Sequence, residues 1–272
     1  MDSEFGITRE SRKQFADKGQ EMDARFKLSA STLDTFLNGK TLPKSRFETT
    51  RKDTIYPALD KFIVGNGEIL DGGALQEEVF PTDKFGFDIF LSHSHKDMEL
   101  AKSFASYLET KGIKVFLDSF IWKSADGLLQ KIDDRYCKDT DGKHYIYKRR
   151  NYSTSHVHAM LTVAIMEMIV KTQYSIFIES DNSIVLKNLG KTTTAMTLSP
   201  WIYEELSIMK ALPARSDIIE KSFSNESMSF EIAYPAGTEK GFNLIRHRDL
   251  INWDKINDRG WLELLGPNRG II

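Results

Sequence analysis

An α/β fold built on a parallel sheet is what this sequence predicts, and three observations predict it. The first is a short apolar run over residues 87–91 that ends abruptly in Ser92-His-Ser-His-Lys-Asp97. A brief apolar run bounded by polar residues reads as a buried strand. In the second, Leu100, Phe104 and Leu108 recur at helical spacing and stop at Gly112, a helix C-terminal signal. In the third, residues 113–117 form another short apolar strand that ends at Asp118. Strand, polar loop, helix, glycine and strand make one βαβ unit, with a right-handed crossover and parallel strands. In such sheets the loops leaving the carboxyl ends of the strands form the ligand crevice. Residues 92–97 and 118–126 are therefore the first places to look for a site.

The remaining elements follow in chain order. Residues 7–27 are densely charged, with Phe15, Met22 and Phe26 scattered among Arg, Lys, Asp and Glu. Residues 29–39 have a helix-start serine, apolar Leu33, Phe36 and Leu37, and an Asn-Gly stop. Further helices are expected from Pro43 towards Arg51 and over residues 55–64. Short helices joined by tight turns admit two readings: a helix-turn-helix with residues 31–38 as recognition helix, or a helical cap on the main domain. Acidic residues offset the basic ones here, which favours the cap. Glycine-rich residues 65–73 read as a linker or turn.

Beyond residue 118, Asp126 reads as the N-cap of a helix with Leu128, Leu129 and Ile132 on its apolar face. Residues 133–155 read as an insertion, a hairpin-like or irregular excursion over the ligand face. It sets Tyr145, Tyr147 and Tyr152 beside Lys148, Arg149 and Arg150. Aromatics interleaved with cations suit a base and a diphosphate, while a solvated excursion is the plainer alternative. Residues 156–170 have a helical apolar stripe, 174–179 a buried strand, and 183–197 a polar, threonine-rich loop. A helix over 201–212, a strand over 230–234 and one or two helices from Arg246, anchored by Trp253, Trp261, Leu262, Leu264 and Leu265, complete the chain.

Composition narrows the function classes. A hydrophobic share of 40% and a charged share of 28% are those of an ordinary globular protein. The net charge of −2 provides no global basic field for nucleic acid or an anionic membrane. The single cysteine, Cys137, excludes an internal disulfide, suits a reducing cytosol, and reads as a free surface or half-buried thiol. The apolar run at 160–170 is interrupted by Thr162 and Glu167 and is too short to span a bilayer. With no signal-peptide segment at the N-terminus, a cytoplasmic protein is expected. His156 and His158 lie two residues apart, so on a helix they face different ways, and no metal is expected there.

The segment Asp88-Ile-Phe-Leu-Ser-His-Ser-His-Lys-Asp97, followed by Leu108-x3-Gly112-x-x-Val115-Phe-Leu-Asp118, resembles the opening of a Toll/interleukin receptor (TIR) domain. Ser199-Pro-Trp-Ile-Tyr-Glu-Glu-Leu206 is similar to that family's Ser-x-Trp-x3-Glu-Leu helix. The resemblance covers residues 85–212 and says nothing about either end. It implies a flavodoxin-like TIR domain over 81–235, with the insertion at 133–155, a helical N-terminal region over 1–80 and a C-terminal extension over 236–272 packing on it.

In TIR domains that are enzymes, the glutamate of Trp-x3-Glu is the catalytic residue of NAD+ cleavage, and Glu205 is its match. On a helix Trp201 and Glu205 share one face a turn apart, an aromatic plane beside an anion that suits a nucleotide whose glycosidic bond breaks. Glu204 points about 100° away and serves as an internal control. Ser92, His93 and Ser94 are placed to cradle phosphate near a helix N-terminus. Asp97 reads as the cap of the following helix. Trp122 either stacks on adenine or packs beneath its loop. Many relatives have glycine before the acidic cap of that loop, whereas this chain has Ser124-Ala125-Asp126.

The expectations are thus NAD+ as substrate, giving nicotinamide with ADP-ribose or a cyclic or transferred product, no bound cofactor and no metal. Self-association through TIR–TIR contacts on the 118–126 face, a setting in antiphage defence and a partner effector that senses the product belong to the same implication. The opposing expectation is a TIR module that signals by assembly without catalysis.

Overall fold

The computed structural model describes residues 24–43, 59–64, 69–80, 86–189, 192–212, 233–238, 241–256 and 260. The βαβ unit read from the sequence is present: β4 (Ile89–Ser92), a short 3-10 turn (His95–Asp97), α3 (Met98–Thr110) and β5 (Val115–Leu117). Gly112 has φ +75°, and Ile113 N–H reaches back to the Leu108 carbonyl at 3.1 Å. That left-handed residue closes the helix and turns the chain into β5.

The central sheet has five strands in the order β10-β1-β6-β4-β5, and every ladder in it is parallel. β6 is Tyr174–Glu179, β10 is Asn243–Ile245, and β1 is Ala24–Ser29. The chain therefore leaves β4 in one direction to β5 and returns across it to β6, so the strand order reverses between β4 and β6. A crevice at the carboxyl ends of the strands is expected at such a reversal.

β1 departs from the sequence reading. Residues 24–29 belong to what reads as a helical region, but they form a strand paired with β6 along all six residues and with β10 on its other edge. Alternation explains it: Phe26 and Leu28 are fully buried on one face, where they join Ile176 and Ile178. The charged neighbours that mask this alternation include Arg25, itself buried and donating to the Met209 carbonyl at 2.6 Å. α1 (Ala30–Leu37) follows at once, capped by the Ser29 hydroxyl, which accepts from Thr32 N–H. Its Leu33, Phe36 and Leu37 are buried in the main core against α3. This is the packing of a cap on the sheet, and it leaves the helix no free apolar side for a helix-turn-helix core.

Alternating side chains divide the core into two layers. Ile89, Leu91, Ile176 and Ile178 face α1, α3 and α7 (His247–Asp254), the last anchored by buried Trp253. Phe90, Phe116 and Phe177 face the other side, covered by α2 (Gly72–Val79), α4 (Ser119–Ile132), α5 (Tyr147–Lys171) and α6 (Pro200–Ala211). Asp254 ties α7 to α3 and to the loop after α1, accepting from Tyr107 at 2.9 Å and from Lys40 at 2.6 Å.

Several boundaries differ from expectation. α4 begins at Ser119 rather than beyond Asp126, and Asp118 accepts from Ser119 N–H at its start. The buried spacing Ala125, Leu128, Ile132 is helical and continues upstream of the residue read as the cap. The threonine-rich 183–197 stretch holds a hairpin, β7 (Val185–Leu189) with β8 (Thr192–Thr197), joined by β9 (Tyr234–Pro235) in a three-stranded antiparallel sheet. Threonine is β-branched and fits a pleated surface, which a polarity reading misses. Of the helix expected over 55–64, the described residues form a 3-10 turn, Leu59–Phe62, leading into β2 (Ile63–Val64), which pairs with β3 (Ile69–Leu70). The helix expected from Pro43 to Arg51, residues 230–232 and Trp261, Leu262, Leu264 and Leu265 lie outside the described residues.

The 133–155 excursion is compact. A π-helical turn (Asp133–Cys137) extends α4, Lys138 and Tyr145 form an antiparallel bridge, and α5 begins already at Tyr147. Cys137 is buried rather than exposed or half-exposed, 3.6 Å from the Ser153 hydroxyl, and burial pushes its thiol pKa up.

Candidate active site

Ser199 caps α6 by accepting from Ile202 N–H, and Pro200 occupies the first turn, where its missing N–H costs nothing. The inward stripe of α6 is then Ile202, Glu205, Leu206 and Met209. Three of these are apolar, and Glu205 holds a core position with no exposed surface. A charged carboxylate so placed is costly unless paired. Its Oε2 accepts from the Ser92 hydroxyl at 2.6 Å, and Ser92 is the last residue of β4, at the strand-order reversal.

Burial pushes the Glu205 pKa well above the usual carboxylate range, and the neighbouring Asp118 carboxylate pushes it further. The Ser92 hydroxyl bond works in the opposite sense and loses. Burial and Asp118 both favour the protonated form of Glu205.

Asp118 directly follows β5, at the start of α4, and binds three groups. Its Oδ1 lies 2.7 Å from His93 Nδ1 and 2.6 Å from Ser119 N, and its Oδ2 is 3.5 Å from His93 N. Burial opposes charge on the His93 imidazole, but the Asp118 carboxylate outweighs it and holds the His93 pKa above its ordinary value. Ser92, His93, Asp118 and Glu205 are thus one buried polar cluster at the carboxyl edge of the sheet. Sequence reading singles out Ser92, His93 and Glu205 but treats Asp118 only as the start of a loop. The signal for it was its place at the end of a buried strand.

Other candidates are placed differently. Ser94 accepts from Lys96 N–H at 3.4 Å within the 3-10 turn before α3. Asp97 makes no side-chain cap. It accepts from Asn182 at 2.7 Å and from the Ser180 hydroxyl, joining the loop after β4 to the loop after β6. A carboxylate there disfavours phosphate at the start of α3, so the cradle read from Ser92, His93 and Ser94 has its first two members turned inward to Asp118 and Glu205.

Trp201 is half-buried and meets the His158 ring of α5 edge-on, with centroids 4.9 Å apart. Glu204 is also half-buried, with Oε1 enclosed and without a hydrogen-bond partner among the described residues, and its charge adds to the pressure on Glu205. It is a neighbour of the cluster rather than a remote control. Trp122 lies within α4, and its side chain is outside the described residues. In the excursion, Arg150 pairs with buried Asp133 at 2.9 Å, and Arg149 donates to the carbonyls of Tyr136 and Lys138. Both cations are engaged in holding the excursion together. His156 meets the Tyr152 ring at a tilt of 59° while His158 meets Trp201, so the two rings diverge.

Chemically, the cluster offers a buried carboxyl group, a hydroxyl that orients it, and a His–Asp pair that can hold or move a proton. No family model, no curated protein and no solved structure matches the chain.

Proposed function

We propose that the chain is a TIR-type, flavodoxin-like NAD+ nucleosidase in which Glu205 acts at the nicotinamide–ribose bond. The observation that supports this best is the Glu205 carboxyl, bonded to Ser92 and pressed by Asp118 at the strand-order reversal of a parallel sheet. The strand order supports it too. Counted from β5, the first three positions, β5-β4-β6, run 2-1-3 as in flavodoxin-like sheets, while the fourth position is taken by the N-terminal strand β1.

The nicotinamide ring of NAD+ is a cation. Brought beside Glu205 it favours loss of the carboxyl proton, because an opposite charge nearby stabilises the ionised form. The C1′–N bond then breaks, its electron pair goes to the ring nitrogen, and neutral nicotinamide leaves. The positive charge passes to the ribosyl C1′–O4′ unit, which the Glu205 carboxylate stabilises. Addition of water and loss of its proton give ADP-ribose; attack by another nucleophile gives a cyclic or transferred product. The carboxyl proton passes to the neighbouring His93–Asp118 pair, and the Glu205 carboxylate then takes the proton from water. A role in antiphage defence, with a partner that senses the product, belongs to the same proposal.

Purified chain incubated with NAD+ should release nicotinamide, and Glu205→Gln should reduce the release by at least about a hundredfold. Glu204→Gln should retain most of it. Equal release by wild type and Glu205→Gln would remove Glu205 from the mechanism.

One observation favours the second reading, a TIR module that signals by assembly without catalysis. Glu205 has no exposed surface, so substrate reaches it only if α6 and the loop after β4 part. A folded protein that releases no nicotinamide at any concentration would select that reading.

A further inference from the structure

α5 is apolar on two sides. Its inner face, with Val157, Leu161, Ala164, Ile165, Met168 and Ile169, is buried in the core. Its outer face presents Tyr152, His156, Ala159, Val163, Met166 and Val170, all exposed; Tyr152 is 70% and Met166 44% accessible. For this reason α5, among the described residues, is the one helix long and apolar enough to cross a membrane by length and composition. A helix apolar all round belongs inside something, and among the described residues only one side of this one is covered.

The outer stripe has a stricter pattern than scattered surface residues would show. Its steps from Tyr152 to Val170 run four, three, four, three, four, the a/d spacing of a coiled-coil seam. It extends for about 27 Å along the helix. Residues 151–166 contain no Lys, Arg, Asp or Glu, so no charge interrupts it.

We propose that this stripe is the contact between two copies of the chain, their α5 helices lying antiparallel across a twofold axis level with residue 161. In that register every stripe residue has a partner in the second copy: Tyr152 meets Val170, His156 meets Met166, and Ala159 meets Val163. Each a position faces a d position, and large side chains face small or flexible ones. The contact is isologous, as a twofold dimer requires.

Charge selects the antiparallel arrangement. The amino end of α5 carries the exposed run Lys148-Arg149-Arg150, of which Arg150 is paired with Asp133, and the carboxyl end carries the negative pole of the helix. Lys171 at that end is matched locally by Glu167 at 3.5 Å. Antiparallel pairing sets the basic run of each copy beside the negative end of the other, whereas parallel pairing sets the two basic runs side by side. A bilayer is the poorer occupant, since the inner face of the same helix is locked into the core.

The inference stands apart from the catalytic reading and puts self-association on α5 rather than on residues 118–126, which are largely helix α4. It has one consequence for the site: His158 of the same helix braces Trp201 on α6.

Sedimentation of the full chain over a concentration series should show a reversible dimer. Val163→Glu should raise its dissociation constant by at least about a hundredfold, since an unpaired charge is then buried in the seam. The variant should keep the wild-type circular dichroism and melting temperature, because Val163 is already 37% exposed in the single chain. Ile251→Glu, at an exposed apolar residue of α7, should leave the dimer unchanged. Mild oxidation of a mixture of Ala159→Cys and Val163→Cys chains should give mainly the mixed disulfide dimer. A chain that stays monomeric, a dimer broken by Ile251→Glu but not by Val163→Glu, or homodisulfides dominating the mixture would each overturn the proposal. So would flotation of the chain with lipid vesicles that competes with self-association.

Discussion

Glu205 is a residue at which stability and the proposed chemistry pull apart. An apolar side chain would suit the inward stripe of α6, and burial there favours the protonated carboxyl. In the unfolded chain it gives up that proton at the ordinary glutamate value of 4.5, while in the folded chain it keeps it to higher pH. Between the two values the folded state binds more protons, so stability falls as pH rises. Glutamine has no proton to lose and its carbonyl still accepts from Ser92. Glu205→Gln should therefore match the wild type below about pH 4.5 and exceed it above, by at most about 1.4 kcal/mol per pH unit. His93 contributes in the same direction, since its folded pKa is also raised, but it is common to both proteins and leaves the difference to Glu205. Melting temperatures of the two proteins across a pH series measure this. A variant less stable than wild type at neutral pH would mean that Glu205 is ionised and well bonded in the free protein.

Among elements, the excursion between α4 and α5 shows how a functional motif and a folding motif can read alike. Tyrosines alternating with Lys and Arg suit a nucleotide, yet here the Tyr145 hydroxyl donates to Asp134 at 2.6 Å, and Arg150 spans to Asp133 while its guanidinium lies 5.3 Å from the Tyr145 ring centre. Asp133 is the buried pivot, since it also accepts from Ser153 beside Cys137. Replacing Arg149 and Arg150 together by Ala should lower stability by about 1–3 kcal/mol, largely through the unpaired Asp133 carboxylate. Hydrogen exchange should rise across residues 133–146, and the Michaelis constant for any nucleotide substrate should stay near that of the wild type. A selective rise in that constant with unchanged exchange would restore the phosphate-binding reading. Elements were legible where apolar spacing was uninterrupted, as in β4, α3, β5 and β6. They were missed where side-chain polarity hid a backbone preference, as in threonine-rich β8, or where charged neighbours hid alternation, as in β1. The site followed the same division. Glu205 and Ser92 stood in motifs, whereas Asp118 and the inward turn of His93 depended on which strand ends meet.

At the scale of the whole molecule, the strand order makes residues 24–29 part of the fold that the motifs alone place after residue 80. β1 lies between β6 and β10, so its loss would open two ladders at once and detach β10 with α7 behind it. It would also expose the core around Phe26 and Leu28, each contributing about 1.5–3 kcal/mol by burial. Those two side chains alone approach the total stability of a marginal domain, about 5–15 kcal/mol. A chain beginning at residue 81 should therefore fail to fold, giving no cooperative melt and little soluble protein, although it retains every motif that carries the resemblance. Co-expression of residues 1–80 as a separate chain should restore solubility, because β1 and α1 make their contacts without needing a covalent link to β4. A cooperative melt from the 81–272 chain alone would show that β1 is dispensable, and the N-terminal region would then be an appendage rather than the fourth strand of the sheet.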